Sequence, residues 1–228
     1  MPLVLPFDRA MDGADFLPSA SNRAACLLAF EGPGAWGGPA AVLVGPEGAG
    51  KTHLLNVWSV ARGVPLLGVD DLDAESEADT ARSFALDDAE RVAGTPDRER
   101  ALFHLYNRLA GTGSAILLAS RVPPARWPLG LPDLASRLRT APVAVIESPD
   151  DALRERLLAK LLHDRALHVE EGVLSRLLVH TERSCAALKA LVEALDRHAL
   201  AHQRRALSHA LVSPVLAELE ASREPRML

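Results

Sequence analysis

The stretch AAVLVGPEGAGKTHLLNVW, residues 40–58, decides the fold. It opens on an unbroken apolar run (40–45), the mark of a strand buried on both faces. It then places Gly45, Gly50, Lys51 and Thr52 at the fixed positions of G-x-x-x-x-G-K-[ST], with Pro46, Glu47, Gly48 and Ala49 between them and His53 just beyond. A chance match in a chain of this length falls below about one in a hundred. The glycines let backbone N–H groups turn inward around phosphate oxygens, and the following helix adds the positive end of its dipole. Lys51 is expected to reach the β- and γ-phosphates, and the Thr52 hydroxyl to ligate Mg²⁺. Residues 45–53 are therefore the candidate nucleotide site, with ADP or ATP and Mg²⁺ as cofactors. His53 is expected to pack near the loop rather than to do acid–base work.

Outward from the loop, short apolar runs alternate with helical patterns: VPLLGV (64–69), SFAL (83–86), SAILLAS (114–120) and APVAVIE (141–147), with a long amphipathic helix over 97–111. This alternation predicts an α/β fold, a five-stranded parallel sheet with right-handed crossovers. Before it, a helix is expected over 22–30, capped near Ser19–Ser21, followed by a loop, EGPGAWGGP. Phosphoryl chemistry needs a carboxylate at a strand end, and two pairs compete, Asp70-Asp71 and Asp87-Asp88. The second is favoured because its strand suits a central place beside the P-loop strand: Asp87 for Mg²⁺, Asp88 for polarising water. DDLDAESEAD (70–79) then reads as a solvated acidic loop.

After Ser148-Pro149-Asp150 only helical patterns follow, over 150–164, 170–181, 184–202 and 210–221, with Gly172 and Pro214 near helix starts. Three segments are expected: an extended arm over 1–15, an α/β nucleotide-binding domain over 16–148 and a small all-helical lid over 149–228. The chain has 228 residues, 48% hydrophobic and 24% charged, enough to bury a core. Its start lacks the pattern of a secretory signal, and no apolar run spans a bilayer, so no membrane association is expected. Cys26 and Cys185 lie far apart in no metal-ligand spacing, as for reduced thiols in a cytoplasmic protein. A net charge of -5 argues against autonomous binding to duplex DNA. His198 and His202, four apart on a helix, have no third ligand and read as a solvated face.

The chain resembles the AAA+ family of the replication initiator DnaA, and within it the short Hda-type homologues. The likeness lies in DFLPSASNRAA, GPEGAGKTHLLNVW, ALDDAERVAG, ALFHLYNRLAGTG, PPARWPLGLPDLASRL and RSCAALKALVEALDRHAL. It implies a bacterial, nucleoid- or replisome-associated regulator that works with the DNA polymerase sliding clamp to stimulate hydrolysis of DnaA-bound ATP, with DnaA and the clamp as partners. Sequence-specific DNA binding is not expected, and a homo-oligomer is compatible with the family. The resemblance makes Arg137, in LASRL, an arginine finger acting in trans; without it, Arg137 reads as a surface salt-bridge residue. It also puts Phe16 and Leu17, otherwise ordinary core candidates, at the adenine pocket, and makes Leu3, Leu5 and Phe7 anchors of a clamp-binding peptide. Three residues depart from the family pattern: Pro2 replaces a glutamine, Arg121 an aspartate at the end of a strand, and Ala186 an arginine of the lid. Weak or absent intrinsic ATPase activity is the expected consequence. An autonomous DNA-associated ATPase or helicase loader, and a nucleotide-stabilised adaptor without catalysis, are the alternative readings.

Overall fold

The computed structural model describes residues 16–77 and 82–221 and divides after Glu147 into two compact units. The first is a five-stranded parallel sheet, β1 (Ala40–Val44), β2 (Leu66–Leu67), β3 (Phe84–Leu86), β4 (Ile116–Ser120) and β5 (Val143–Val145), in the order β2-β3-β4-β1-β5. Every residue of β1 and β4 is buried, which is why both read as unbroken apolar runs. They pair in register from Ala40 with Ile116 to Val44 with Ser120.

Because side chains alternate across a strand, β1 feeds two cores. Ala41 and Leu43 pack with α1 (Arg23–Glu31), α2 (Pro33–Trp36) and α3 (Lys51–Arg62). Ala40, Val42 and Val44 pack on the opposite side, where Leu72 of α4 (Leu72–Glu77), α5 (Pro96–Thr112) and α6 (Pro132–Thr140) cover the sheet. The helix α3 stops at Gly63, whose left-handed φ of 63° lets its N–H cap the carbonyls of Ser59 and Val60. Each tryptophan of the chain is buried in this unit with its indole N–H satisfied. Trp36 donates to Leu28 O (2.8 Å), Trp58 to Ala29 O (2.9 Å) and Trp127 to Val122 O (2.9 Å). Trp36 and Trp58 stack with centroids 6.4 Å apart.

Three sequence expectations change here. The EGPGAWGGP segment is not all loop: Pro33 starts the one-turn α2 and Trp36 anchors it in the core. The strand expected over 64–69 shortens to two residues, because Val69–Asp71 turn into a 3₁₀ helix closed by the Asp71 side chain on Gly68 N–H (2.8 Å). The 70–79 stretch is not simply a solvated loop, since Leu72–Glu77 is helical with Leu72 fully buried. Glu75, also buried, receives a two-pronged bond from Arg82.

The second unit holds α7 (Asp151–Asp164), α8 (Val173–Val179), α9 (Cys185–Ala201) and α10 (His209–Ala221) around a leucine-rich core including Leu158, Leu162, Leu188, Leu191 and Leu195. Asp150 caps α7 by accepting from Leu153 N–H (2.7 Å), and Ser184 caps α9 by accepting from Ala187 N–H (3.0 Å). The unit expected to be all-helical also carries a two-residue parallel pair, β6 (His168–Val169) with β7 (Ala206–Leu207), too short for an apolar run to mark it. Pro214 lies inside α10 rather than at its start.

Candidate nucleotide-binding site

The loop from Gly45 to Gly50 joins β1 to α3 at the ends of the central strands. Gly45 is wedged between two neighbours: its N–H donates to Ser120 O (3.2 Å), and a Cβ would stand 2.3 Å from Ile146 O. No other residue fits there without moving the backbone that follows β5. Gly48 (φ 74°) and Gly50 (φ 108°) take left-handed conformations that turn the loop. Lys51, buried at the start of α3, curls back and donates from Nζ to Gly45 O (2.8 Å) and Pro46 O (2.9 Å). Burial holds the ammonium pKa below its ordinary value, with Asp87 and Glu90 opposing the shift and Arg121 adding to it.

Asp87 follows β3 directly. Its Oδ2 accepts from Thr52 Oγ1 at 2.6 Å, and its Oδ1 accepts from the N–H of Asp88 at 2.9 Å. The strand carrying it is not the neighbour of β1, contrary to the sequence expectation, because β4 lies between them. The helix α3 packs on both β3 and β4, so Thr52 on its first turn still meets Asp87. Of the competing acidic pair, Asp71 serves its own turn and Asp70 pairs with Arg98, so neither meets Thr52. Asp88 has φ 47° and heads the 3₁₀ turn Ala89–Val92. A hydroxyl and a carboxylate brought together are hard oxygen donors of the kind Mg²⁺ takes with nucleotide phosphates and water. Among the described residues no group of three His, Cys, Asp or Glu could hold a metal by itself. The rings of His198 and His202 lie 4.3 Å apart, with His202 Nδ1 on His198 O.

Two residues outside the motif reach the same place. Arg121, the residue after β4, pairs through Nη1 with Glu47 of the loop (3.0 Å), while its N–H donates to Glu90 Oε1 (3.2 Å). The sequence marked Arg121 only as a departure, and nothing in it marked Glu90, which lies two residues past the acidic pair.

Phe16 is buried and stacks on His53 with centroids 5.4 Å apart, so it stands against the first turn of α3. Leu17 is half-buried and its carbonyl accepts from Asn22 Nδ2 (3.0 Å). Leu3, Leu5 and Phe7 lie outside the described residues. Arg137, half-buried on α6, lies over the rings of Phe103 (5.0 Å) and Tyr106 (5.4 Å) and donates to Asn107 Oδ1. Among the described residues it is held by aromatic faces and an amide rather than by a carboxylate. In the second unit Ala186 is exposed, and Arg183 beside it bonds both oxygens of Asp151 at 2.9 Å.

No family model matches the chain. Solved structures do. Domain III of the Thermotoga maritima replication initiation protein DnaA superposes with TM-score 0.76 over 89% of this chain and 94% of that one, at 21% identity. AMPPCP-bound DnaA from Aquifex aeolicus gives 0.64 over 79% of this chain at 22% identity, and the chain spans 63% of that protein's length. The FIGL-1 AAA domain in complex with ADP gives 0.57 over 83% of this chain and 73% of that one, at 15% identity. The fold is a DnaA-like AAA+ fold of the P-loop NTPase class.

Proposed function

We propose that this chain, starting from its DnaA-like AAA+ fold, binds ADP or ATP with Mg²⁺ at residues 45–53 and regulates replication initiation by stimulating hydrolysis of DnaA-bound ATP together with the sliding clamp. The Thr52–Asp87 hydrogen bond carries the nucleotide half of this reading, because it joins the P-loop hydroxyl to a strand-end carboxylate. In that role the loop N–H groups and Lys51 hold the phosphates, and Thr52 and Asp87 hold the metal or its waters, which supplies charge neutralisation on the phosphates. Asp88 orients water, and Phe16 with Leu17 closes on the base. Intrinsic turnover is slow, in keeping with the exposed Ala186 and the Arg183–Asp151 pair on the lid.

The regulatory half rests on the sequence resemblance and on Arg137. One guanidinium N–H is committed to Asn107 and the group lies over the Phe103 and Tyr106 rings, which pre-organises the remaining donors for the phosphates of a neighbouring DnaA. The clamp partner is assigned to the arm carrying Leu3, Leu5 and Phe7, and the location to the nucleoid or replisome of a bacterial cytoplasm. The test is the conversion of DnaA-bound ATP to ADP with DNA-loaded clamp, with and without this protein, wild type beside Arg137→Ala. Acceleration by wild type that the variant lacks is expected. No acceleration by folded, nucleotide-bound protein would return the chain to an adaptor or an autonomous ATPase.

A further inference from the structure

The charge around the P-loop is unbalanced against the ligand proposed for it. Lys51 and Arg121 are the cations gathered there, and Glu47, Asp87, Asp88 and Glu90 are the carboxylates. Four carboxylates against two cations leave the side chains net negative where a polyanion must enter. A divalent ion at Asp87 would offset part of this, but Glu47 is carried by the phosphate loop itself. Its one ion-pair partner among the described residues is Arg121, at 3.0 Å.

Arg121 is placed for that work by the sheet. It follows Ser120, the β4 residue whose carbonyl accepts from Gly45 N–H, so its backbone begins one residue from the base of the loop. The same guanidinium faces Glu90 from the other side, with Nε 3.9 Å from Oε1. Glu90 Oε2 is buried with no hydrogen-bond partner among the described residues, so that carboxylate depends on nearby positive charge. Arg121 therefore sits between two carboxylates, one on the loop and one behind it.

We propose that Arg121 is the counter-cation of the P-loop's own carboxylate: by pairing with Glu47, with Glu90 behind it, it offsets the negative charge carried on the loop and so sets how tightly a nucleoside polyphosphate binds. The pair is exposed on both sides, 53% for Arg121 and 77% for Glu47, so it adds little to the stability of the fold. Its effect appears when the polyanion arrives, because an unneutralised Glu47 then lies within a Debye length of the phosphates. Arg121 is a positioning and charge-compensating residue here, not a phosphate ligand, and the inference rests on the nucleotide-binding reading above.

The experiment is a double-mutant cycle of wild type, Arg121→Ala, Glu47→Gln and the double variant, titrated calorimetrically with ADP plus Mg²⁺ and with AMPPCP plus Mg²⁺. Arg121→Ala is expected to weaken both nucleotides about tenfold, one charge at intermediate range, and less at high salt. In the Glu47→Gln background the same substitution should cost no more than about threefold. An equal loss in both backgrounds would overturn the proposal and make the guanidinium a direct phosphate ligand, and no loss in Arg121→Ala would overturn it too. Wild type that binds neither nucleotide would overturn the nucleotide reading itself, whereas wild type that binds with strictly additive variants overturns only the role of Arg121.

Discussion

Lys51 and Arg137 are both cations held in one orientation, and the means differ. Lys51 is held by the carbonyls of Gly45 and Pro46, six and five residues before it, within one loop. Arg137 is held by Phe103, Tyr106 and Asn107 of another helix, about thirty residues away in sequence. The first arrangement joins groups that lie within one short motif. The second exists only once α5 and α6 have packed, so it depends on side chains that spacing alone cannot pair.

The largest effect should come from striking the local arrangement at its backbone. Gly45→Ala places a methyl 2.3 Å from Ile146 O, and chemical denaturation should show a loss of about 3 kcal/mol with nucleotide binding abolished. Lys51→Ala should cost about a hundredfold in affinity for AMPPCP by calorimetry, about 2.7 kcal/mol, while the midpoint of unfolding stays near wild type. A large drop in that midpoint would mean that Lys51 serves the fold more than the ligand, and the contrast with Arg137 would fail.

The long-range arrangement has its own support in Glu99. This buried carboxylate accepts from Gly94 N–H (2.9 Å), Gly130 N–H (3.2 Å) and Leu131 N–H (2.8 Å), fastening the turn from which α6 and Arg137 set out. Burial pushes its pKa up, but the three backbone donors outweigh burial and hold it below the ordinary value. A depressed carboxylate stabilises the fold above the unfolded-state value and loses that contribution as pH falls through the folded one. Glu99→Gln should therefore cost about 2 kcal/mol at pH 7, and the gap from wild type should narrow under acid in denaturant titrations. A gap that widens under acid would contradict this sign. Smaller still, Arg137→Lys keeps the charge but loses the guanidinium that lies over Phe103 and Tyr106 and donates to Asn107. Under the proposed regulatory role it should lower stimulation of DnaA-bound ATP hydrolysis about tenfold, with this chain's own nucleotide affinity within about twofold. A matching fall in that affinity would show that the two cations are not independent.

The same division explains what could be read before the structure. The parallel sheet and the loop could be read because β1 and β4 are each one unbroken run buried on both faces and the motif is a single contiguous stretch. Asp87 was legible as a strand-end carboxylate, although its strand proved to be one place further from β1. The Glu47–Arg121–Glu90 cluster was not, because it joins three segments through side chains whose spacing carries no period. The helices over 33–36 and 72–77 were missed for a related reason: Trp36 and Leu72 earn their places by tertiary burial, against local sequences rich in glycine or acid.

The tryptophans have an optical consequence. Trp36, Trp58 and Trp127 all precede Glu147, so intrinsic emission from this protein originates wholly in the first unit, and the second is dark at those wavelengths. Ellipticity at 222 nm, by contrast, sums the helices of both. Following one denaturation by the two signals would separate the melting of the α/β unit from that of the helical one without a label or a truncation; coincident curves would show one cooperative transition, and divergent curves two.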